Sequence, residues 1–182
     1  MSLLASGNTP PAGVKLVIYK KIDHGDYRKF RAESNDADSG GGARDLRFRP
    51  DRVFTPLFNR MFTTPGPDNT LTGQLYWPGL PPTDVTIRQP THSRPGEVRI
   101  ATVHKCFPKQ VRPTNTDDCV LILVLDNENR VWPSFTSEQS LRNDNWHPAV
   151  RDPILRGLNA RCRGTPKGYV DIENGREWNN GR

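Results

Sequence analysis

The sequence contains no long hydrophobic run and no paired cysteines. No apolar stretch reaches the roughly 18 residues that a membrane-spanning helix needs. The cysteines are Cys106, Cys119 and Cys162, which are widely spaced and form no CxxC pair. This pattern argues against a disulfide framework and against a zinc site, and it fits a reducing compartment. We therefore expect a cytoplasmic protein that has no membrane as a partner.

Catalytic and metal-binding motifs are also missing. The four histidines show none of the HxH or HxxxH spacings that are typical of metal sites. No GxSxG, P-loop or GxGxxG motif occurs. The acid pair best suited to a metal-dependent nuclease is Asp84 with Glu97, on a predicted hairpin where Arg99 stands in place of the usual lysine. We expect no cofactor and no resident metal, and a small nuclease at Asp84 and Glu97 is kept as an alternative.

Proline and glycine are plentiful, with 17 and 15 copies in 182 residues. Such a composition favours many short elements and predicts a mainly β, α+β fold. Residues 13–22 and 119–126 predict apolar strands, and residues 84–106 predict a hairpin of two strands. Residues 51–62 predict a helix that Pro56 limits to a turn or two. We predict a disordered tail at 1–12, one domain at 13–165 and a C-terminal tail or linker at 166–182.

Charge is unevenly distributed along the chain, whose net charge is +6. Residues 86–113 contain six Lys or Arg and one acid, whereas residues 114–150 contain two arginines and six acids. The first segment predicts a basic face of the kind that attracts nucleic acid. The second predicts an acidic face, which keeps a protein-interaction module open as a further alternative.

A run of three glycines at 40–42 precedes four arginines within residues 44–52. Glycine has no side chain to bury, and it allows a close approach of the backbone to another molecule. The run therefore predicts either a plain flexible loop or a contact loop for a large anionic partner, with Arg44 and Arg47 supplying charge in the second case.

Three features follow one another in a specific order: a strand ending in Lys20 and Lys21, the glycine run before Arg44, and a basic segment at 104–113. This order resembles the N-terminal effector-binding domain of EcoRII-type restriction endonucleases, which belongs to the DNA-binding pseudobarrel superfamily. The resemblance covers residues 14–147. It implies an open seven-stranded pseudobarrel with two or three short helices, and two basic arms that grip the major groove of double-stranded DNA.

The resemblance also implies which residues contact DNA. They are Lys20, Lys21, His24, Arg44 and Arg47 in the first arm, and His104, Lys105, Phe107, Lys109, Gln110 and Arg112 in the second arm. Basic side chains would neutralise phosphates, an arginine can donate two hydrogen bonds to guanine, and Phe107 would stack on a base. We therefore predict the recognition module of a restriction or defence system, with a nuclease domain or subunit as a further partner.

Overall fold

The computed structural model describes residues 13–31 and 44–181. These residues are mainly β, which confirms the predicted α+β class, and none of their helices is long and apolar enough to cross a membrane. The strands are β1 (Val14–Lys21), β2 (Leu46–Phe48), β3 (Thr64–Gly66), β4 (Thr70–Trp77), β5 (Leu80–Arg88), β6 (Val98–Ile100), β7 (Val120–Asp126), β8 (Val131–Thr136), β9 (Lys167–Asp171) and β10 (Arg176–Asn179). The helices are α1 (His24–Arg31), α2 (Asp51–Met61), α3 (Val103–Cys106), α4 (Glu138–Asn143) and α5 (Pro148–Asn159).

The chain divides into two compact units. The first unit combines residues 1–24 with residues 113–182, and the second unit comprises residues 25–112. The expected tail at 1–12 lies outside the described residues. The expected tail or linker at 166–182 is corrected, because β9 and β10 pair with each other and β9 also pairs with β1. Residues 167–179 are therefore part of the first unit's sheet.

The first unit is an antiparallel sheet in the order β10-β9-β1-β7-β8. Strand β7 is the apolar run of the sequence, and all seven of its residues are buried. Helix α5 contributes Val150, Ile154 and Leu158 to the core that the sheet forms. Their spacing of four residues places them on one face of the helix, so burial of apolar surface holds α5 against the strands.

The second unit is an antiparallel sheet in the order β3-β4-β5-β6-β2. Its core is rich in phenylalanine: the ring of Phe48 lies 5.4 Å from that of Phe54 and 5.0 Å from that of Phe58. Both partners lie on α2, which runs for eleven residues although Pro56 lies inside it. Burial of this apolar face outweighs the hydrogen bond that proline removes, and the predicted limit of one or two turns was too short.

The second strand of the predicted hairpin ends earlier than expected. Strand β6 stops at Ile100, because Thr102 has a left-handed backbone with φ of 47° and cannot continue a strand. The residues that follow form the short helix α3 instead. The basic segment therefore starts on a helix and leaves the sheet at once.

Tyr19 lies between two glycines of the first unit, Gly157 on α5 and Gly168 on β9. A methyl group at either glycine would overlap the tyrosine hydroxyl. Helix propensity alone would make Gly157→Ala stabilising by about 1 kcal/mol. We expect the opposite sign, a loss of about 1–3 kcal/mol in the free energy of unfolding, because the site becomes overpacked. Urea denaturation measures the change.

The matched control for this prediction is Tyr19→Phe, which removes the hydroxyl. In that background Gly157→Ala should cost less than in the wild type. A stabilising effect of Gly157→Ala in the wild type would contradict the close packing described here.

Candidate functional site: an arginine row in the second unit

Three arginines of the second unit lie side by side across three neighbouring strands. Arg47 of β2 pairs with Arg99 of β6, and Arg99 pairs with Arg88 of β5. Thr70 of β4 lies opposite Arg88 and continues the row. Because side chains alternate along a strand, the apolar neighbours of these arginines point to the other face and form the core. We call the three residues the arginine row.

Like charges directly opposite each other destabilise a sheet, so the row needs negative charges close to its arginines. Asp45, which is fully buried, accepts a hydrogen bond of 3.2 Å from Nη1 of Arg99, and its carboxylate lies 3.4 Å from Nε of Arg88. The same carboxylate accepts the backbone N–H of Thr102 at 3.0 Å. Asp45 thus holds two arginines of the row and the left-handed residue that ends β6.

Glu97 supplies the second buried carboxylate on this face. It accepts a hydrogen bond of 2.9 Å from Nε of Arg49, and its other oxygen lies 3.8 Å from Arg47 and 3.7 Å from Arg99. Four arginines therefore surround two acids, which leaves an excess of positive charge. The side chains of Arg47, Arg49 and Arg88 are 40%, 62% and 44% exposed, so three of the four can meet a ligand.

Arg99 is the buried member of the row, and its side chain is 8% exposed. Burial lowers the pKa of its guanidinium, and the nearby Asp45 carboxylate opposes that effect. Its Nε has no hydrogen-bond partner within the described part of the chain. The row thus contains one buried cation whose hydrogen-bonding capacity is incompletely used.

Two cavities, each of about 270 Å³, share Thr86 and Arg88 in their linings. One is lined by Pro67, Asp68, Thr70, Thr72, Thr86, Arg88, Gln89, Thr91 and Arg99. The other is lined by Asp84, Thr86, Arg88, Ala101, Thr102, Lys105 and Cys106. We call them the threonine cavity and the lysine cavity. Through the lysine cavity, Lys105 from the basic segment comes next to the arginine row.

The basic segment divides into exposed and buried residues. Lys105, Lys109 and Gln110 are exposed, as expected for a contact surface. Arg112 is half-buried and donates hydrogen bonds to the carbonyl oxygens of Phe107, at 2.8 Å, and of His104. These bonds tie the end of the segment to its start, and give Arg112 a structural role.

The expected exposure of His104 and Phe107 is corrected. The ring of Phe107 is fully buried and packs 5.0 Å from Phe30 and 5.2 Å from Trp77, so no base can stack on it here. His104 is 7% exposed, and burial lowers the pKa of its imidazole with help from the cations Arg44 and Arg112. Neither nitrogen of this buried ring has a hydrogen-bond partner within the described residues.

The residues of the first predicted arm are divided between the two units. Arg47 lies in the arginine row and Arg44 is half-buried just before it, but Lys20, Lys21 and His24 belong to the first unit. Lys20 lies in the middle of that unit's sheet, between β7 and β9, and is 6% exposed. Its expected availability at a surface is therefore corrected. The glycine run at 40–42 lies outside the described residues.

The alternative acid pair is not formed in the second unit. Glu97 precedes β6 by one residue, and β6 is in register with the end of β5, so Glu97 lies about six residues from Asp84 along the strands. At about 3.3 Å per residue, the two Cα atoms are about 20 Å apart. Asp84 accepts a hydrogen bond from Gln74, whereas Glu97 binds arginines. Within the described ranges no group of three His, Cys, Asp or Glu side chains is suited to a metal ion.

The acids of residues 114–150 are largely engaged within the first unit. Asp126 is buried and accepts hydrogen bonds from the side chains of Arg130 and Trp132, both at 2.9 Å. Burial raises the pKa of this carboxyl, but these bonds and the backbone N–H of Arg130 together lower it. Glu138 pairs with Arg142 at 2.7 Å. The expected acidic face is therefore used in part to hold the unit together.

Compared with family models, with curated proteins and with solved structures, the chain matches none. The resemblance to the EcoRII-type domain therefore stays a prediction. What the structure defines by itself is a mainly β protein that carries a compensated row of arginines on one sheet face of its second unit.

The arginine row makes stability depend on Asp45. We expect Asp45→Asn to lower the free energy of unfolding by about 3 kcal/mol, because it leaves Arg99 as a buried charge without its main counter-ion. The control is Glu177→Gln, which removes an acid from an ion pair with Arg156 that is exposed on both sides. Such a pair is worth less than about 1 kcal/mol. Equal losses for both variants, measured by urea denaturation, would show that Asp45 does not hold the row.

Proposed function

We propose that this chain binds double-stranded DNA and that Arg47 and Arg88, the exposed members of the arginine row, provide its central phosphate contacts. The observation that carries the proposal is the register that sets Arg47, Arg99 and Arg88 side by side. Adjacent strands are about 4.8 Å apart, so the row spans about 10 Å of surface. Each strand of duplex DNA presents about one phosphate per 3.4 Å of the helix axis, so a row of this length can meet about three phosphates of one strand.

The buried acids favour this role because they fix the arginines before a ligand arrives. An arginine that Asp45 or Glu97 already orients loses less side-chain entropy on binding than a mobile surface lysine would. Arginine also matches the geometry of phosphate oxygens with two parallel donors. The exposed cations of this region are Arg47, Arg49, Arg88, Arg94, Lys105 and Lys109.

We assign the recognition of DNA bases to the exposed residues of the basic segment. Lys105, Lys109 and Gln110 are exposed there, and lysine and glutamine are side chains that donate to purine edges in the major groove. The proposal retains the pseudobarrel architecture and the role of recognition module in a restriction or defence system, both of which rest on the resemblance. It also retains a cytoplasmic location and a nuclease domain or subunit as partner.

DNA affinity should fall steeply with salt if six exposed cations meet phosphates. We expect a slope of about −5 in a plot of log affinity against log salt, at about −0.9 per contact. Fluorescence anisotropy of a labelled duplex between low and moderate salt measures it. A slope near zero would contradict nucleic-acid binding through this face.

Matched variants locate the contact. Arg88→Gln should reduce the slope by about one and weaken binding to all duplexes alike, as expected for a phosphate contact. Arg156→Gln in the first unit removes the same charge from an exposed ion pair with Glu177 and should leave both quantities nearly unchanged. Equal effects of the two variants would show that only net charge matters.

Two cations of the basic segment should behave differently. Lys109 is exposed, so Lys109→Gln should weaken DNA binding and leave the melting temperature unchanged. Arg112 holds two carbonyl oxygens, so Arg112→Gln should lower the melting temperature, since its hydrogen bonds with backbone groups contribute about 1–3 kcal/mol. Thermal unfolding and anisotropy on both variants give the comparison. Loss of DNA binding by Arg112→Gln at an unchanged melting temperature would show that Arg112 contacts DNA and has no structural role.

A further inference from the structure

The threonine cavity has the donor chemistry of a small anion site. Arg88, Arg99, Thr72 and Thr86 are among its lining residues, and the Thr72 hydroxyl also donates a long hydrogen bond of 3.5 Å to the carbonyl oxygen of Thr64. Thr86 and Thr72 are paired across β5 and β4, one row away from the arginines. Threonines and arginines from three neighbouring strands of one sheet thus line the same cavity.

Arg99 gives this cavity a feature that ordinary surface arginines lack. Its side chain is more than nine-tenths buried, it lines the cavity, and its Nε has no hydrogen-bond partner in the described ranges. The nearest acid to that atom, Glu97, is 3.7 Å away, beyond hydrogen-bond length. Nε itself is closed to solvent, so an anion in the cavity would be held by the charge of the buried guanidinium, which salt screens little.

One acid also lines the cavity. Asp68 lies on the turn between β3 and β4, is exposed, and has a left-handed backbone with φ of 53°. Its charge opposes an anion, but an exposed charge is screened by salt, whereas the buried Arg99 is screened much less. Asp45 is already bound to both arginines and fixes their positions.

We propose that the threonine cavity binds a phosphomonoester group. A phosphomonoester carries about −2 charge and three unesterified oxygens, which can accept from both guanidiniums and from the threonine hydroxyls together. A phosphodiester has only two such oxygens, and the site would have to leave room for both of its ester-linked groups. The terminal phosphate of a DNA strand and a small phosphorylated compound share this chemistry. The choice of DNA as the source depends on the proposed function.

Inorganic phosphate is the first probe. We expect saturable binding in a calorimetric titration at constant ionic strength, with amide chemical-shift changes centred on Thr72, Thr86 and Arg99. Thr72→Val should weaken this binding by about ten-fold, the equivalent of one hydrogen bond to a charged group. The matched control is Thr64→Val, on the strand paired with β4 directly opposite Thr72 and outside the cavity, which should change it by less than about two-fold. No saturable binding, or equal losses for the two variants, overturns the proposal.

Two duplexes that differ only in a 5′-phosphate or a 5′-hydroxyl test the source. We expect the phosphorylated duplex to bind more tightly, with Thr72→Val removing the difference and Thr64→Val keeping it. If inorganic phosphate binds as described but neither duplex binds, the phosphate site in the threonine cavity is supported and the proposed DNA binding is contradicted. If both duplexes bind equally and inorganic phosphate does not bind at the cavity, DNA binding stands and this inference fails.

Discussion

The buried ion pair of Asp45 with Arg99 is the interaction on which the arginine row depends. Three arginines in direct register across a sheet repel one another, and without a counter-ion the central one would be a buried, unpaired charge. Asp45 supplies the counter-ion and also accepts a hydrogen bond from the N–H of Thr102, whose left-handed backbone ends β6. One carboxylate therefore binds two cations of the row and the residue at which the chain leaves the sheet.

The strands themselves follow from local sequence, and so does the face that each side chain occupies. Residues 45–49 and 97–100 alternate between charged and apolar types, a pattern typical of strands with one apolar face, and β2 and β6 form there. The neighbours across the strands could not be predicted in the same way. Register is set by tight turns, and the nine residues between β5 and β6 are not a tight turn. The strand position of each of Arg47, Arg88 and Arg99 could thus be predicted. That the three lie side by side could not.

The basic segment shows why charge along a sequence is a poor guide to exposure. Residues 104–112 contain four basic or imidazole side chains and were expected to lie on an exposed arm. A helix begins at Val103, however, and places Cys106 and Phe107 in the core with His104. The carbonyl oxygens at the end of a helix have no partner within the helix. Arg112 donates hydrogen bonds to two such oxygens, those of His104 and Phe107. Lys105 and Lys109 stay exposed because long charged side chains are costly to bury.

In the proposed DNA-binding role, the acids beneath the arginines would limit the affinity of this face and at the same time give it specificity. Asp45 and Glu97 lower its net charge, so it attracts a distant polyanion less than four unpaired arginines would. In exchange the guanidiniums are held at fixed spacings, and a ligand must match those spacings to gain their hydrogen bonds. A face of this kind discriminates by shape more than by charge. That property distinguishes it from the exposed lysines of the basic segment, which act as mobile point charges.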